Sequence, residues 1–145
     1  MPERETMRRA HGDRAAGKSA STQAGEFVRE EMHHIREGKH GARSSKQAIA
    51  IGLSKARRAG VKLGAPRHGL AKVRHQAELD ERAGRKHHRP SPTRSRATLT
   101  ALKREGHSAA SRSALSRQTR SAARRRSATD RHRSAQKAVR TRQRS

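Results

Sequence analysis

Apolar residues recur at strong helical spacing in two adjacent stretches of the chain. In the first, Ala24, Phe27, Val28, Met32 and Ile35 share one face of a segment predicted to be helical over 21–37. Ser21 or Thr22 can cap its start, Glu26 complements the helix dipole, and Gly38 ends it. In the second, Ile49, Gly52, Leu53 and Ala56 form a stripe that predicts a helix from Ser45 to Ala59. Ser44 and Gln47 have capping-box spacing at its start. Gly60 stands where a left-handed residue closes a helix, and Val61 can fold back onto Ala56 in a Schellman motif. The short polar link from Gly38 to Arg43 makes the two helices antiparallel neighbours. Their shared core is Phe27, Val28, Met32, Ile35, Ile49, Leu53, Ala56 and Val61, with Gly52 allowing close approach.

Elsewhere the pattern is weak. Pro66 ends the hairpin region, and Leu70, Val73 and Ala77 mark a helix up to about Ala83, closed by Gly84. Pro90-Ser91-Pro92 reads as a linker, and Leu99 and Leu102 mark a short helix over 97–105 that stops at Gly106. Beyond it the triplet Arg-Ser-Ala recurs at 112–114, 120–122, 126–128 and 133–135.

Composition sharpens the contrast. Only 29% of the residues are hydrophobic, with one Phe and no Trp or Tyr, while 37 Lys and Arg face 12 acids for a net charge of +25. Too little apolar surface is available to offset chain entropy over the whole length. The expected fold is therefore all-α: a short helical hairpin with long, mostly disordered, conditionally helical basic arms. The boundaries are a flexible arm at 1–20, the hairpin at 21–63, a linker with a weak helix at 64–85, and an Arg/Ser/Ala-rich tail at 86–145. So small a core calls for bracing, by a homodimer through the hairpin's apolar face or by a bound partner.

The charge points to a polyanion. Arg makes up 28 of the 37 cations, and its guanidinium pairs bidentately with phosphate. The first helix carries four acids against two Arg, whereas the second carries Lys46, Lys55, Arg57 and Arg58 with no acid. Those four, with Arg94, Arg96, Arg112, Arg117, Arg120, Arg124, Arg125, Arg126, Arg131 and Arg133, are the expected nucleic-acid contacts. Aromatic residues free to stack on single-stranded bases are missing, since Phe27 belongs to the core. The expected partner is therefore duplex DNA, or structured RNA met through its backbone, with duplex DNA favoured over RNA. Ser91-Pro92-Thr93-Arg94 resembles the Ser-Pro-basic units that enter narrow minor grooves, though a solvated linker accounts for it equally. The expectation is sequence-nonspecific duplex-DNA binding by phosphate neutralisation, in a nucleoid-associated, histone-like manner. The alternatives are an RNA- or ribosome-associated basic structural protein and a plasmid-maintenance DNA-binding protein. Residues 1–17 lack the apolar core of a signal peptide and no apolar run is long enough to span a membrane, so the expected location is the cytoplasm, at the nucleoid, with no membrane partner.

Other motifs in the chain lack the context their chemistry needs. Gly12-Asp13-Arg14-Ala15-Ala16-Gly17-Lys18-Ser19 fits the P-loop pattern, but no strand-like run precedes it to deliver the loop. Ala48, Gly52, Leu53 and Ser54 imitate a helix-turn-helix turn, yet the caps favour one continuous helix. His33, His34 and His40 near Glu30 and Glu31, or the pair His87-His88, can supply metal ligands. With no Cys and no evident third ligand, solvated or phosphate-facing histidines are the expectation, with no metal and no cofactor. No nucleophile–base pair can be placed on a rigid scaffold, so the chain does not read as an enzyme.

The run Lys46-Gln47-Ala48-Ile49-Ala50-Ile51-Gly52-Leu53-Ser54-Lys55-Ala56-Arg57-Arg58-Ala59-Gly60, following Phe27-Val28-Arg29-Glu30-Glu31, resembles the core of a small basic bacterial domain family of unknown function. The likeness covers about residues 18–65. Members labelled as plasmid-stabilisation or DNA-binding proteins imply a nucleic-acid role but little mechanism. The tail resembles the C-terminal tails of linker-histone-like bacterial proteins in composition.

Overall fold

The computed structural model describes residues 2–144, all of whose regular structure is helical. Seven α-helices follow in order: α1 (Arg4–Ala15), α2 (Ala20–Arg36), α3 (Ser45–Arg58), α4 (Ala71–Arg85), α5 (Pro92–Lys103), α6 (Arg112–Arg124) and α7 (Ala128–Gln143). A single 3₁₀ turn, Ser108–Ala110, joins α5 to α6.

The ends of α2 and α3 follow the local chemistry. Ser19, two residues before the expected cap, accepts the Thr22 N–H at the start of α2. Gly38 closes that helix with positive φ while the Lys39 N–H reaches the His34 carbonyl. Ser44 caps α3 by accepting the Gln47 N–H at 3.1 Å. The Gln47 side chain reaches back to the Arg43 N–H rather than to that of Ser44. At the far end Val61 N–H bonds the Ala56 carbonyl and Gly60 N–H bonds that of Arg57, the paired bonds of a Schellman closure. Helix α3 runs unbroken through Gly52, so no helix-turn-helix turn forms there.

Helices α2 and α3 cross closely at Gly52. A Cβ there would lie 2.7 Å from the Val28 Cα. The core on either side of this crossing divides in two. Phe27 and Ala24 meet Ala10, Ala56 and Val61 at one end, and Met32 and Ile35 meet Ala42, Ala48, Ala109 and Ala110 at the other.

The expected short hairpin with long disordered arms is thereby overturned. Residues 4–15, expected to be a flexible arm, form α1, which buries Thr6 and Ala10 and ties Arg9 to Glu26 of α2. The weak helix of the expected linker is α4, and it packs on α3 through the later part of the expected stripe, which includes Ala77, while the Leu and Val at its start stay exposed. Ala77, Asp80 and Gly84 are buried, whereas Leu70 is 76% exposed. Gly84 does not close α4; it lies within it, against the Arg57 backbone where a Cβ has no room. Pro92 starts a helix instead of a linker, at the first-turn position where its missing N–H costs nothing.

The tail is both helical and anchored. Ser111 and Ser127 cap α6 and α7 by accepting the Ala114 and Asp130 N–H groups. Ala and Arg then propagate both helices well. Between α5 and α6 the buried Ala109 and Ala110 enter the core under α2 and α3. Ser45 donates to the Ala109 carbonyl and Arg36 Nε to that of Ala110 (3.0 Å). Gly41 and Ala42 N–H groups bond the Leu102 and Gly106 carbonyls. Ala10 of α1 and the Ala109–Ala110 turn thus pack on the apolar residues of the α2–α3 pair.

Candidate nucleic-acid interface

The N-terminus of α3 and the outer face of α6 border one cleft of about 380 Å³. Arg43, Ser44, Ser45 and Lys46 line one side, and Arg117, Gln118 and Ser121 line the other. The anchored 3₁₀ turn sets this placement, because it fixes where α6 begins. Arg117 and Ser121 also border a second groove, with Arg120, Arg124 and Arg125, so the two form one basic track. Spacings of three and four residues put Arg117, Arg120 and Arg124 on one helical face. Neither α3 nor α6 contains an acidic residue. The track also begins at a helix N-terminus, where the dipole favours an anion.

The expected contact residues divide sharply. Lys46, Arg94, Arg96, Arg112, Arg117, Arg120, Arg124, Arg125, Arg126, Arg131 and Arg133 are all exposed. Lys46 and Arg117 meet at the cleft, whereas Arg94 and Arg96 lie apart from it on α5, with Arg96 turned onto the Pro92 carbonyl. Three of the expected cations make contacts within the chain, one of them buried and two partly exposed. Lys55 pairs with the buried Glu31, Arg57 is buried and donates to the Gly64 carbonyl, and Arg58 pairs with Asp80 at 2.8 Å. The sequence reading missed Arg43. Its signal was the capping serine that follows it, which marks the residue as the gate of a helix N-terminus.

The acids explain where the free charge remains. Glu26 and Glu5 hold Arg9, Asp13 holds Lys18, Glu3 and Glu37 hold Lys39, and Asp80 holds Arg58. Hydrogen bonds from His34, then Lys39, hold the Glu3 carboxyl below its ordinary range. Bonds to Glu37 and Glu3 raise Lys39, and the bond to Asp13 raises Lys18. Such pairing neutralises much of α1–α4, whereas residues 86–145 hold 18 Lys or Arg against two acids, a net of +16.

The P-loop-like run finds a structural explanation. Gly12 lies inside α1, Gly17 is its positive-φ closing residue, Lys18 bonds Asp13, and Ser19 caps α2. Its glycines and serine serve two helix ends. Of the histidines weighed as ligands, His33, His87 and His88 are exposed and apart, while His34 and His40 converge on Glu31. No helix among the described residues is long and apolar enough to cross a membrane.

Residues 13–68 match a family of unknown function (DUF6496). The match takes in α2, α3 and the turn between them, less than half of the chain, and stops short of α6. No curated protein and no solved structure matches the chain.

Proposed function

We propose that the chain binds duplex nucleic acid without sequence preference, DNA ahead of RNA, as a nucleoid-associated protein. The observation that carries this reading is the basic track itself. Arg43 and Lys46 at the start of α3 continue into Arg117, Arg120, Arg124 and Arg125 along α6, with no acid on either helix. Helix α6, 13 residues long, extends about 20 Å, enough to follow several phosphates of one strand. Arg forks suit phosphate oxygens, and release of condensed counterions supplies the driving force. Contacts of this kind position a protein on a duplex without reading its bases.

The test uses the full chain and labelled duplexes of equal length, DNA and RNA, titrated by fluorescence anisotropy at fixed salt. Replacing Arg117, Arg120 and Arg124 together by Gln should weaken binding to every DNA sequence alike. It should also flatten the slope of log K against log salt by about 2–3, near 0.9 for each lost contact. An unchanged slope would move the interface elsewhere, and tighter binding to duplex RNA than to DNA would favour an RNA-associated role.

A further inference from the structure

The last turns of α2 gather imidazoles and carboxylates in one sheltered place. Glu31 and His34, three residues apart, share a face of α2, and His40 returns to them beyond the turn at Gly38. His40 Nδ1 lies 3.0 Å from the Gly41 carbonyl oxygen, which can only accept, so Nδ1 carries a proton. In the neutral ring Nε2 then presents a lone pair, and it faces Glu31 Oε2 at 3.3 Å. Glu31 is completely buried, and this Oε2 has no hydrogen-bond partner. His34 repeats the arrangement. Its Nε2 bonds Glu3 Oε1 at 2.9 Å, leaving Nδ1 turned to Glu31 Oε1 at 4.0 Å. A buried carboxylate and two imidazole lone pairs thus converge, and only the Oε1 side is met by a cation, Lys55.

We propose that Glu31, His34 and His40 form a binding site for a divalent transition-metal ion of the zinc class. Tetrahedral zinc with bonds of about 2.0–2.1 Å to nitrogen and oxygen separates its ligand atoms by about 3.3 Å. That is the spacing of His40 Nε2 from Glu31 Oε2. One donor atom from each of the three residues lies within 4.8 Å of the others, so His34 completes the set by a small inward shift. The surroundings match an outer ligand shell. Gly41 O and Glu3 hold the far nitrogens of the two rings, which fixes the tautomer that a ligating imidazole needs. Lys55 takes Oε1 and leaves Oε2 for the ion. Two imidazoles with one carboxylate suit zinc over calcium or magnesium, which prefer all-oxygen sets. Glu3, Glu30 and His34 form an overlapping triad, but it borrows the same His34, and Glu30 Oε1 already accepts the Glu3 N–H. The competing occupant is a proton, which would make His40 an imidazolium paired with Glu31.

The test titrates the full chain, cleared of metal by a chelator, with zinc against a chromophoric competitor and with cobalt(II) by visible absorption. One equivalent should bind, and cobalt should give the intense bands of tetrahedral coordination. His40→Gln and His34→Gln should each weaken zinc at least tenfold with unchanged far-ultraviolet circular dichroism. The double variant His87→Gln/His88→Gln, on the exposed pair, should bind as the parent does. If His40→Gln does not fold, the partly exposed His34 variant and the parent's cobalt spectrum decide. Failure of the parent to bind an equivalent, a weak octahedral cobalt spectrum, or binding lost only with His87 and His88 would each overturn the site.

Discussion

At the residue scale the fold turns on small side chains placed where bulk cannot go. Gly52 is the sharpest case, since a Cβ there meets the Val28 backbone, 2.7 Å from its Cα and 2.9 Å from its N, as well as its Cγ2. Backbone cannot move aside as a side chain does, so Gly52→Ala should destabilise the chain by about 1–3 kcal/mol although Ala favours helix. Phe27→Ala, which empties the fully buried centre of one half-core, should cost about 3–5 kcal/mol. Urea unfolding followed by circular dichroism measures both, and a neutral Gly52→Ala would mean that α2 and α3 do not touch there. A pH dependence belongs to this scale too. Lys18 is raised by its bond to Asp13, so the charged pair's contribution is fully present below the unfolded lysine pKa. It is lost as pH rises through the raised folded value. Lys18→Gln should therefore melt below the parent at neutral pH, and the gap should narrow in alkali. A gap that stayed constant would assign the effect to packing of the lysine stem.

At the scale of elements, the sequence made α2 and α3 legible and hid what holds the others. The two helices announce themselves through Phe27, Met32, Ile35 and Leu53 at helical spacing, and through Ser44 and Gly60 at the ends of α3. These are local signals, and a local pattern can be read from one chain. The docking of the tail rests on two alanines and on hydrogen bonds to main-chain carbonyls, which carry almost no signature in hydrophobicity. Helix α4 misled for a related reason. Its apolar Leu70 and Val73 lie exposed at the start of the stripe, while the buried part of that stripe centres on Asp80, satisfied by Ser54 and Arg58. Of the site, Lys46 and the α6 arginines were legible by charge. That Arg57 and Arg58 serve the interior was not, because their partners are distant in sequence. Truncation separates these roles. Ending the chain after Arg126 removes α7, which buries nothing, and should leave the melting temperature unchanged. Ending it after Arg104 also removes Ala109 and Ala110 and exposes Met32, Ile35 and Ala48, so the melting temperature should fall by several degrees. Equal melting of the two truncated chains would show that the tail is not anchored.

At the scale of the whole molecule, charge is sorted by where it is neutralised. Residues 1–85 carry 19 cations and 10 acids, many of them paired with one another, whereas the 18 cations of the remainder all lie at exposed positions and face only two acids. A polyanion should therefore be held by two helices of different standing. Helix α6 is fixed against the body by the 3₁₀ turn and adds its arginines to Arg43 and Lys46, so its charges act as one rigid surface. Helix α7 buries nothing, and the segment beyond Arg126, α7 with Arg144 after it, brings six cations with one acid. If about half of those six meet phosphate, ending the chain after Arg126 should flatten the salt slope by about 3, near 0.9 for each contact. That loss resembles the loss expected from the triple α6 change to Gln, yet the two should combine differently with duplex length. On a duplex too short to reach α7, removing that helix should do nothing, while the α6 change should keep its full effect. On a longer duplex the two losses in log K should add, because they concern different phosphates. Anisotropy titrations with duplexes of graded length measure both quantities. Equal sensitivity of the two variants at every length would mean that the helices share one contact region, and the rigid track would lose its special place in binding.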